Sequence, residues 1–515
     1  MDSGGASTVS GLLEAGAEGT PALLAPERGA LGYGELRALA VRTVERLNGL
    51  GIGRGDRVAI VLPNGPEMAA AFVAVACGAT TAPLNPAYRE EEFEFYLGDL
   101  GAKALIAAEG DATPAVAAAR RQGARILRLR TASGAPAGAF ELLPEDGGEG
   151  RPARAGMAAP DDVGLVLHTS GTTSRPKIVP LTHANLTASA GHIRETLALG
   201  PADRCLNIMP LFHIHGLIAA TLASLGAGAS LWATPGFNAL RFFAQLDEAT
   251  PTWYTAVPTM HQAILARAAR NAESVARARL RFIRSSSASL PPQVMVELEG
   301  AFGCPVIESY GMTEAAHQMT SNPLPPRPRK PASVGVAAGP LVRIADQAGR
   351  FLDGEEEGEV VISGPNVTPG YESNPVANAS AFFEAGGRRW FRTGDQGRLD
   401  AEGYLTITGR LKEIINRGGE KVSPLEVDVV LMDHPAVAQC VTFAMPHAKL
   451  GEEVAAAVVL RETMTASEQE IRDFVASHLA DFKVPRRVLI LDEIPKGATG
   501  KLQRIGLAER LGLGG

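Results

Sequence analysis

The sequence predicts an α/β protein with a large N-terminal part built on mostly parallel sheet and a small α+β part at the C-terminal end. Three observations carry this. Short β-branched runs alternate with stretches whose apolar residues recur at helical spacing, the signature of βαβ units. Past Pro331 short strands stand between Gly, Pro and Asp, which predicts a compact β subdomain from about residue 331. After Gly409-Arg410 the chain starts afresh with Lys412-Glu413-Ile414-Ile415, a charged Gly-Gly turn and a new alternation, so the expected division is 1–409 and 410–515.

The elements follow in order. Leu31-Gly32-Tyr33 reads as a short strand, and Gly34 to Leu50 sets Leu36, Leu39, Ala40, Val44, Leu47 and Leu50 at helical spacing up to Gly51. Arg57 to Leu62 is a strand, Pro66-Glu67 opens a helix through Ala76, and Thr81 to Leu84 is another strand; Glu90 to Leu100 is helical and Lys103 to Ala107 extended. Pro144 to Ala159 reads as a surface linker or mobile loop. A second α/β unit, roughly 165 to 325, is expected from strands at Cys205–Met209, Trp253–Ala256 and Leu280–Ser285 and helices at Leu186–Leu197, Leu217–Leu225 and Thr259–Ala269. In the β subdomain, Leu341–Ile344, Gly358–Ser363 and Tyr404–Ile407 read as strands.

With 515 residues the chain exceeds a single core, and two to four domains or subdomains are expected. A net charge of -7 without a long run of one sign argues against a nucleic-acid groove or a polybasic membrane patch. Cys77, Cys205, Cys304 and Cys440 lie far apart, without disulfide or zinc-ligand spacing. There is no signal-like start, no membrane-length apolar run and no SKL-type ending, so a cytoplasmic monomer or homodimer acting on small molecules is expected. No HExxH or GxSxG pattern supports a metal-centred or serine hydrolase.

The stretch Leu165 to Asn185 carries the first chemical signal. An apolar run leads into Thr169-Ser170-Gly171-Thr172-Thr173-Ser174, then Arg175-Pro176-Lys177 and a second apolar run. A strand, a hydroxyl-rich loop and a return can aim backbone N–H groups, hydroxyls and a lysine at one small volume, which suits a polyphosphate. A solvated Ser/Thr/Gly turn has the same composition, so the loop alone decides nothing. It is not a Walker loop, because Pro176 precedes the lysine and Ile178 stands where a magnesium-binding hydroxyl belongs.

Four further motifs follow: Tyr310-Gly311-Met312-Thr313-Glu314, Arg392-Thr393-Gly394-Asp395, Gly409-Arg410-Leu411-Lys412 and Pro495-Lys496-Gly497-Ala498-Thr499-Gly500-Lys501. Together with the loop, and in this order over nearly the whole chain, they resemble the adenylate-forming superfamily of acyl-CoA synthetases, luciferases and peptide-synthetase adenylation domains. The resemblance implies that family's fold and a two-step reaction: a carboxylate attacks the α-phosphate of ATP to give an acyl-adenylate and pyrophosphate, then coenzyme A displaces AMP. It implies that Thr169, Ser170, Gly171, Thr172, Thr173 and Lys177 hold the pyrophosphate end, that Thr313 contacts the α-phosphate, and that Glu314 is the Mg²⁺ ligand. Asp395 accepts from the ribose hydroxyls with help from Arg410, Tyr310 lies against adenine, and the segments Ser287-Ala288-Ser289 and Glu308-Ser309-Tyr310-Gly311-Met312 complete the nucleotide site. Lys501 stabilises the adenylation transition state, Lys412 is the hinge, and Gly418-Gly419 approach the pantetheine channel after rotation. Ser174 and Ile178 replace glycines of the family loop, which puts strain on that turn if either position needs φ > 0.

The segments that the resemblance places around the acid are polar: Phe212-His213-Ile214-His215-Gly216, Arg284 to Ser289 and Ala315-Ala316-His317-Gln318-Met319. The runs HTSGTTSRPK, PLFHIHGL, TWYTAVPTMHQ, RFIRSSSASL and TEAAHQMTSNPLP are more closely similar to the oxalate-CoA ligase branch. That resemblance implies that His213, Ser287 and His317 bind the distal carboxylate of oxalate or another small dicarboxylic acid, with His213 also serving the chemistry. A short- or medium-chain acyl-CoA synthetase, an aryl-CoA ligase and an enzyme that loads a carrier protein are the alternatives.

Overall fold

The computed structural model describes residues 6–169, 176–497 and 501–514. Among these residues the strands form four sheets. A seven-stranded sheet holds the strands from Arg57–Val61 to Lys177–Thr182, parallel except at its two ends, where Glu141–Pro144 and Lys177–Thr182 run antiparallel to their neighbours. A nine-stranded sheet has a parallel centre running from Pro21–Leu24 through Ser230–Ala233, Arg204–Asn207, Trp253–Ala256 and Phe282–Ser285 to Val306–Met312.

The two sheets pack across shared helices. Pro66–Ala76 opens with proline at its first turn and runs through Ala, Val and Phe with almost every side chain buried; it touches strands of both sheets. A helix that is apolar all round needs such a place between two layers. The helices Tyr33–Gly49 and His183–Thr196 stand beside it in the shared core.

Sheet membership departs from the expected linear order. The first strands, Pro21–Leu24 and Leu31–Gly32, belong to the nine-stranded sheet, whereas Val163–Thr169 and Lys177–Thr182 close the edge of the seven-stranded one. The unit expected over 165 to 325 is therefore interleaved with the first. Local periodicity names strands; which strand pairs with which is decided by packing between residues some two hundred positions apart, as in Leu23 beside Leu231.

The segment expected to be a loose linker is tied down. Arg54 and Arg154 both pair with Asp162, at 2.6 and 2.5 Å, and Gly156 N–H donates to Asn48 Oδ1 at 2.7 Å. The helix expected over Leu217–Leu225 also differs: a π-helical stretch, His215–Leu222, precedes a short α-helical turn. Widened turns of this kind recur at functional sites, and this one begins on His215.

The β subdomain is an antiparallel sheet of Leu341–Ala345, Gly358–Ser363, Arg388–Leu399, Phe382–Ala385 and Leu405–Arg410. The small C-terminal domain is a sheet of Ile415–Arg417, Glu420–Val422, Gly451–Leu460, Val437–His447 and Arg487–Ile490, backed by the helices Pro424–Asp433 and Glu468–Ala476. It rests on the large part: Gln262 Nε2 donates to Ala438 O at 3.2 Å, and Arg461 pairs with Glu297 at 3.5 Å.

Candidate active site

The strand ends of both large sheets and the C-terminal domain meet around one cluster of polar side chains. Thr169 and Lys177 face each other across the antiparallel pair that brackets the hydroxyl-rich loop. Ser170, Gly171, Thr172, Thr173 and Ser174 lie outside the described residues. Ile178 is a buried strand residue opposite His168 and is not among the residues with positive φ, so it puts no strain on the turn.

The Lys177 ammonium lies 4.3 Å from the centroid of the Tyr371 ring, and Tyr371 Oη donates to Glu314 Oε1 at 2.9 Å. Burial lowers the Lys177 pKa and the nearby Lys412 charge adds to this, while Glu314 opposes both. Glu314 is buried and its pKa is raised by desolvation, against the pull of its own N–H, Tyr371, Lys177 and Arg410. Thr313 opens the one-turn helix that carries Glu314. Its carbonyl-side brace is the loop Asn366–Tyr371: Thr368 N–H donates to Glu314 O at 2.7 Å and Thr368 Oγ1 to Pro180 O at 2.7 Å. A buried hard oxygen donor beside a lysine suits a magnesium ion completed by nucleotide phosphates and water.

Asp395 and Arg410 are opposed on neighbouring antiparallel strands, with Arg410 Nε 2.7 Å from Asp395 Oδ1. The Tyr310 hydroxyl donates to the other carboxylate oxygen. The Asp395 charge raises the Arg410 pKa despite burial, and burial with Asp395 pushes that of Tyr310 well up. Gly311 is required by space: a Cβ there would stand 1.7 Å from His317 O, across the bulge where Val306–Met312 pairs with His317–Ser321. Met312 ends that strand, directly opposite His317.

Glu308 and Ser309 do not open toward the cluster. The Glu308 carboxyl accepts from Leu290 N–H at 2.8 Å, with burial pushing its pKa up to about 8, and Ser309 Oγ donates to Ser285 O at 3.3 Å. Their part is to hold the turn through Ser287, Ala288, Ser289 and Leu290, in which Ala288 and Ser289 are exposed.

Next to this turn lies a knot of imidazoles, His213, His215 and His317. His215 Nδ1 is 3.1 Å from Ser287 Oγ, its Nε2 is 2.6 Å from Thr255 Oγ1, and its ring centroid is 4.9 Å from that of His317. His213 Nδ1 accepts from the His215 N–H at 3.3 Å. Burial lowers all three histidine pKa values, that of His213 to about 3, and the Lys501 charge pushes in the same direction. Neutral imidazoles result. Ser287 and His317 have φ of 75° and 99°, left-handed conformations that a side chain adopts only when its surroundings hold it there.

Lys501 joins this cluster from the C-terminal domain. Its pKa is lowered to about 8 by burial and by the Arg410 charge, with Asp395 opposing. Three residues on, Arg504 pairs with Glu413 at 3.3 Å and with Asp428 at 2.8 Å, which ties the lysine-bearing segment to the turn just past Lys412. Lys412 itself is exposed, while Gly418 and Gly419, with φ of 59° and 104°, form an exposed turn bonded to Leu450 O and Asn416 Oδ1.

A family model described as AMP-binding enzyme matches residues 13–372, and one for the AMP-binding enzyme C-terminal domain matches 426–501. The chain belongs to the AMP-binding enzyme family. This AMP-binding enzyme is 47% identical to an oxalate–CoA ligase of Arabidopsis thaliana, over 96% of this chain and 97% of the relative. It is 41% identical to an oxalate–CoA ligase of Saccharomyces cerevisiae, over 88% and 87%. Among solved structures it is similar to ATP-bound MatB from Rhodopseudomonas palustris, with a TM-score of 0.84 and 29% identity over 96% of this chain and 97% of that one.

Of the residues expected to bind the acid, His213, Ser287 and His317 fall in one cluster, joined by His215, which lies between Ser287 and His317. The geometry also adds Thr255, Arg284 and Tyr371. The spacing His-Ile-His marked two candidates, but nothing local says which ring turns inward. Arg284 lies in a run of buried strand residues, where a charged side chain was itself a signal.

Proposed function

We propose that this AMP-binding enzyme is an AMP-forming acid–CoA ligase whose acid is oxalate. The observation that carries the reading is the polar knot of His213, His215, Ser287 and His317 beside Lys501, where an acyl chain would otherwise need apolar walls. A pocket of neutral imidazoles and a hydroxyl offers hydrogen bonds to a second carboxylate, a group that an apolar pocket would leave unpaired at a cost of several kcal/mol. Identity of 47% and 41% to oxalate–CoA ligases supports the same acid.

In the first step one carboxylate oxygen attacks the α-phosphorus, the bond to the β-phosphate bridge breaks, and pyrophosphate leaves. Lys177 would meet the departing charge, Arg410 and Asp395 would fix the ribose end, and Lys501 would stabilise the charge that builds on the α-phosphate and the attacking oxygen. Glu314 would hold Mg²⁺, which when bound would supply positive charge against the nucleotide phosphates. In the second step the thiol of coenzyme A attacks the acyl carbon and AMP leaves with its phosphate. Division of labour follows the chain: the part up to Arg410, which ends the strand Leu405–Arg410 of the β subdomain, binds the substrates, and the part beyond it carries Lys501, with Lys412 as hinge and Gly418-Gly419 free of side chains for the thioester step.

The test is ATP–pyrophosphate exchange. Exchange should require oxalate and proceed without coenzyme A, and net AMP release should then require coenzyme A. Exchange with oxalate but transfer only to a partner protein would replace the ligase reading by carrier loading.

A further inference from the structure

Arg284 has no counterion among the described residues. Its side chain is fully buried on the strand Phe282–Ser285, and no carboxylate forms an ion pair with it. Its Nη1 stands 3.5 Å from His215 Nε2, its Nη2 donates to Gln318 Oε1 at 3.3 Å, and its Nε has no partner. Gln318 is held in turn by Thr196 Oγ1 at 3.0 Å and Ala338 O at 3.1 Å, so the guanidinium is fixed. Burial lowers its pKa to about 9, which leaves it cationic at neutral pH. An unpaired buried charge is costly to keep unless something brings it an opposite charge.

We propose that Arg284 is the positioning residue that commits the acid pocket to substrates bearing a second anionic group, acting through His215. Arginine can only donate, so its contact makes His215 Nε2 an acceptor, which at 2.6 Å also takes the Thr255 hydroxyl hydrogen, and the imidazole proton is assigned to Nδ1. That N–H donates to Ser287 Oγ, which turns the Ser287 hydroxyl hydrogen outward to the ligand. The three histidines are neutral and supply hydrogen bonds without charge; Arg284 supplies the charge. Chemistry gives it a standing task, because the carboxylate that reacts loses its own charge on becoming the acyl group of the adenylate and then of a thioester, whereas the distal one stays anionic through both steps.

This inference rests on the oxalate reading, and oxamate separates the two. Oxamate keeps the shape of oxalate and replaces the distal carboxylate by a neutral amide. Wild-type enzyme should favour oxalate over oxamate in kcat/KM by at least about a hundredfold. Arg284→Met should bring that ratio to within about threefold, mainly through the oxalate KM, with the ATP KM unchanged; Arg284→Lys should recover part of it. A folded Arg284→Met enzyme that keeps the hundredfold ratio overturns the proposal, and so does a wild-type ratio near one, which needs no variant. If wild-type enzyme ignores oxalate but uses malonate or succinate, the oxalate reading fails, and Arg284 is judged by the same ratio between that diacid and its monoamide. Preference for octanoate overturns both.

Discussion

Tyr371 Oη donates to Glu314 Oε1 at 2.9 Å, while the ring of the same tyrosine underlies the Lys177 ammonium. One side chain thus sets the relative position of the proposed metal carboxylate and the proposed pyrophosphate lysine. Tyr371→Phe keeps the ring beneath Lys177 and frees Glu314. The Mg²⁺ concentration for half-maximal AMP formation should rise about tenfold, the usual effect of losing a group that orients a ligand. A magnesium titration that superimposes on the wild type would remove Tyr371 from this role.

The proposed role of the Lys501 amine is that of a cation, and burial and Arg410 lower its pKa to about 8. Its protonated fraction, and with it kcat/KM for ATP in adenylation, should therefore fall as pH rises through about 8. Lys501→Arg should shift that fall to higher pH, and Lys501→Ala should lower adenylation by about 10²–10³. Transfer from pre-formed acyl-adenylate to coenzyme A should be spared in both. The readout is a pair of pH profiles, one for pyrophosphate exchange and one for thioester formation.

His317 is enclosed, with Nδ1 unpartnered and φ of 99°. His317→Ala should raise the oxalate KM about tenfold or more and change the ATP KM less than about twofold, since the lost donor faces the acid rather than the nucleotide. Parallel saturation curves for the two substrates measure the split. Equal effects on both would assign His317 to packing.

Gly311 is a test of the site's scaffold. A Cβ at this position would meet His317 O at 1.7 Å, so backbone must move. Gly311→Ala should lower stability by about 2 kcal/mol, read as a lower denaturation midpoint at unchanged slope. An unchanged midpoint would show that the bulge between Tyr310 and Gly311 is compliant.

The strands Trp253–Ala256 and Gly358–Ser363 were legible to the residue, because their β-branched and aromatic runs are bounded by breakers. That Asp395 and Arg410 belong together was legible for a different reason: both sit in motifs, and both fall on one antiparallel pair. The interleaving of the two large sheets was not legible, since Leu23 beside Leu231 and Thr81 beside Leu165 are pairings that no local pattern encodes. His215 and Arg284 were in view as letters but unreadable as a pair. Their meeting depends on a π-helical turn and a parallel sheet register, neither of which leaves a periodic trace.

A polar, cation-backed pocket is what is proposed to make this enzyme an oxalate ligase. Coenzyme A-dependent AMP formation with purified protein, measured in parallel on oxalate, malonate, acetate and octanoate, tests it most directly. The account predicts the highest kcat/KM for oxalate, by at least about tenfold over the two monocarboxylates. Octanoate or acetate in first place would contradict it.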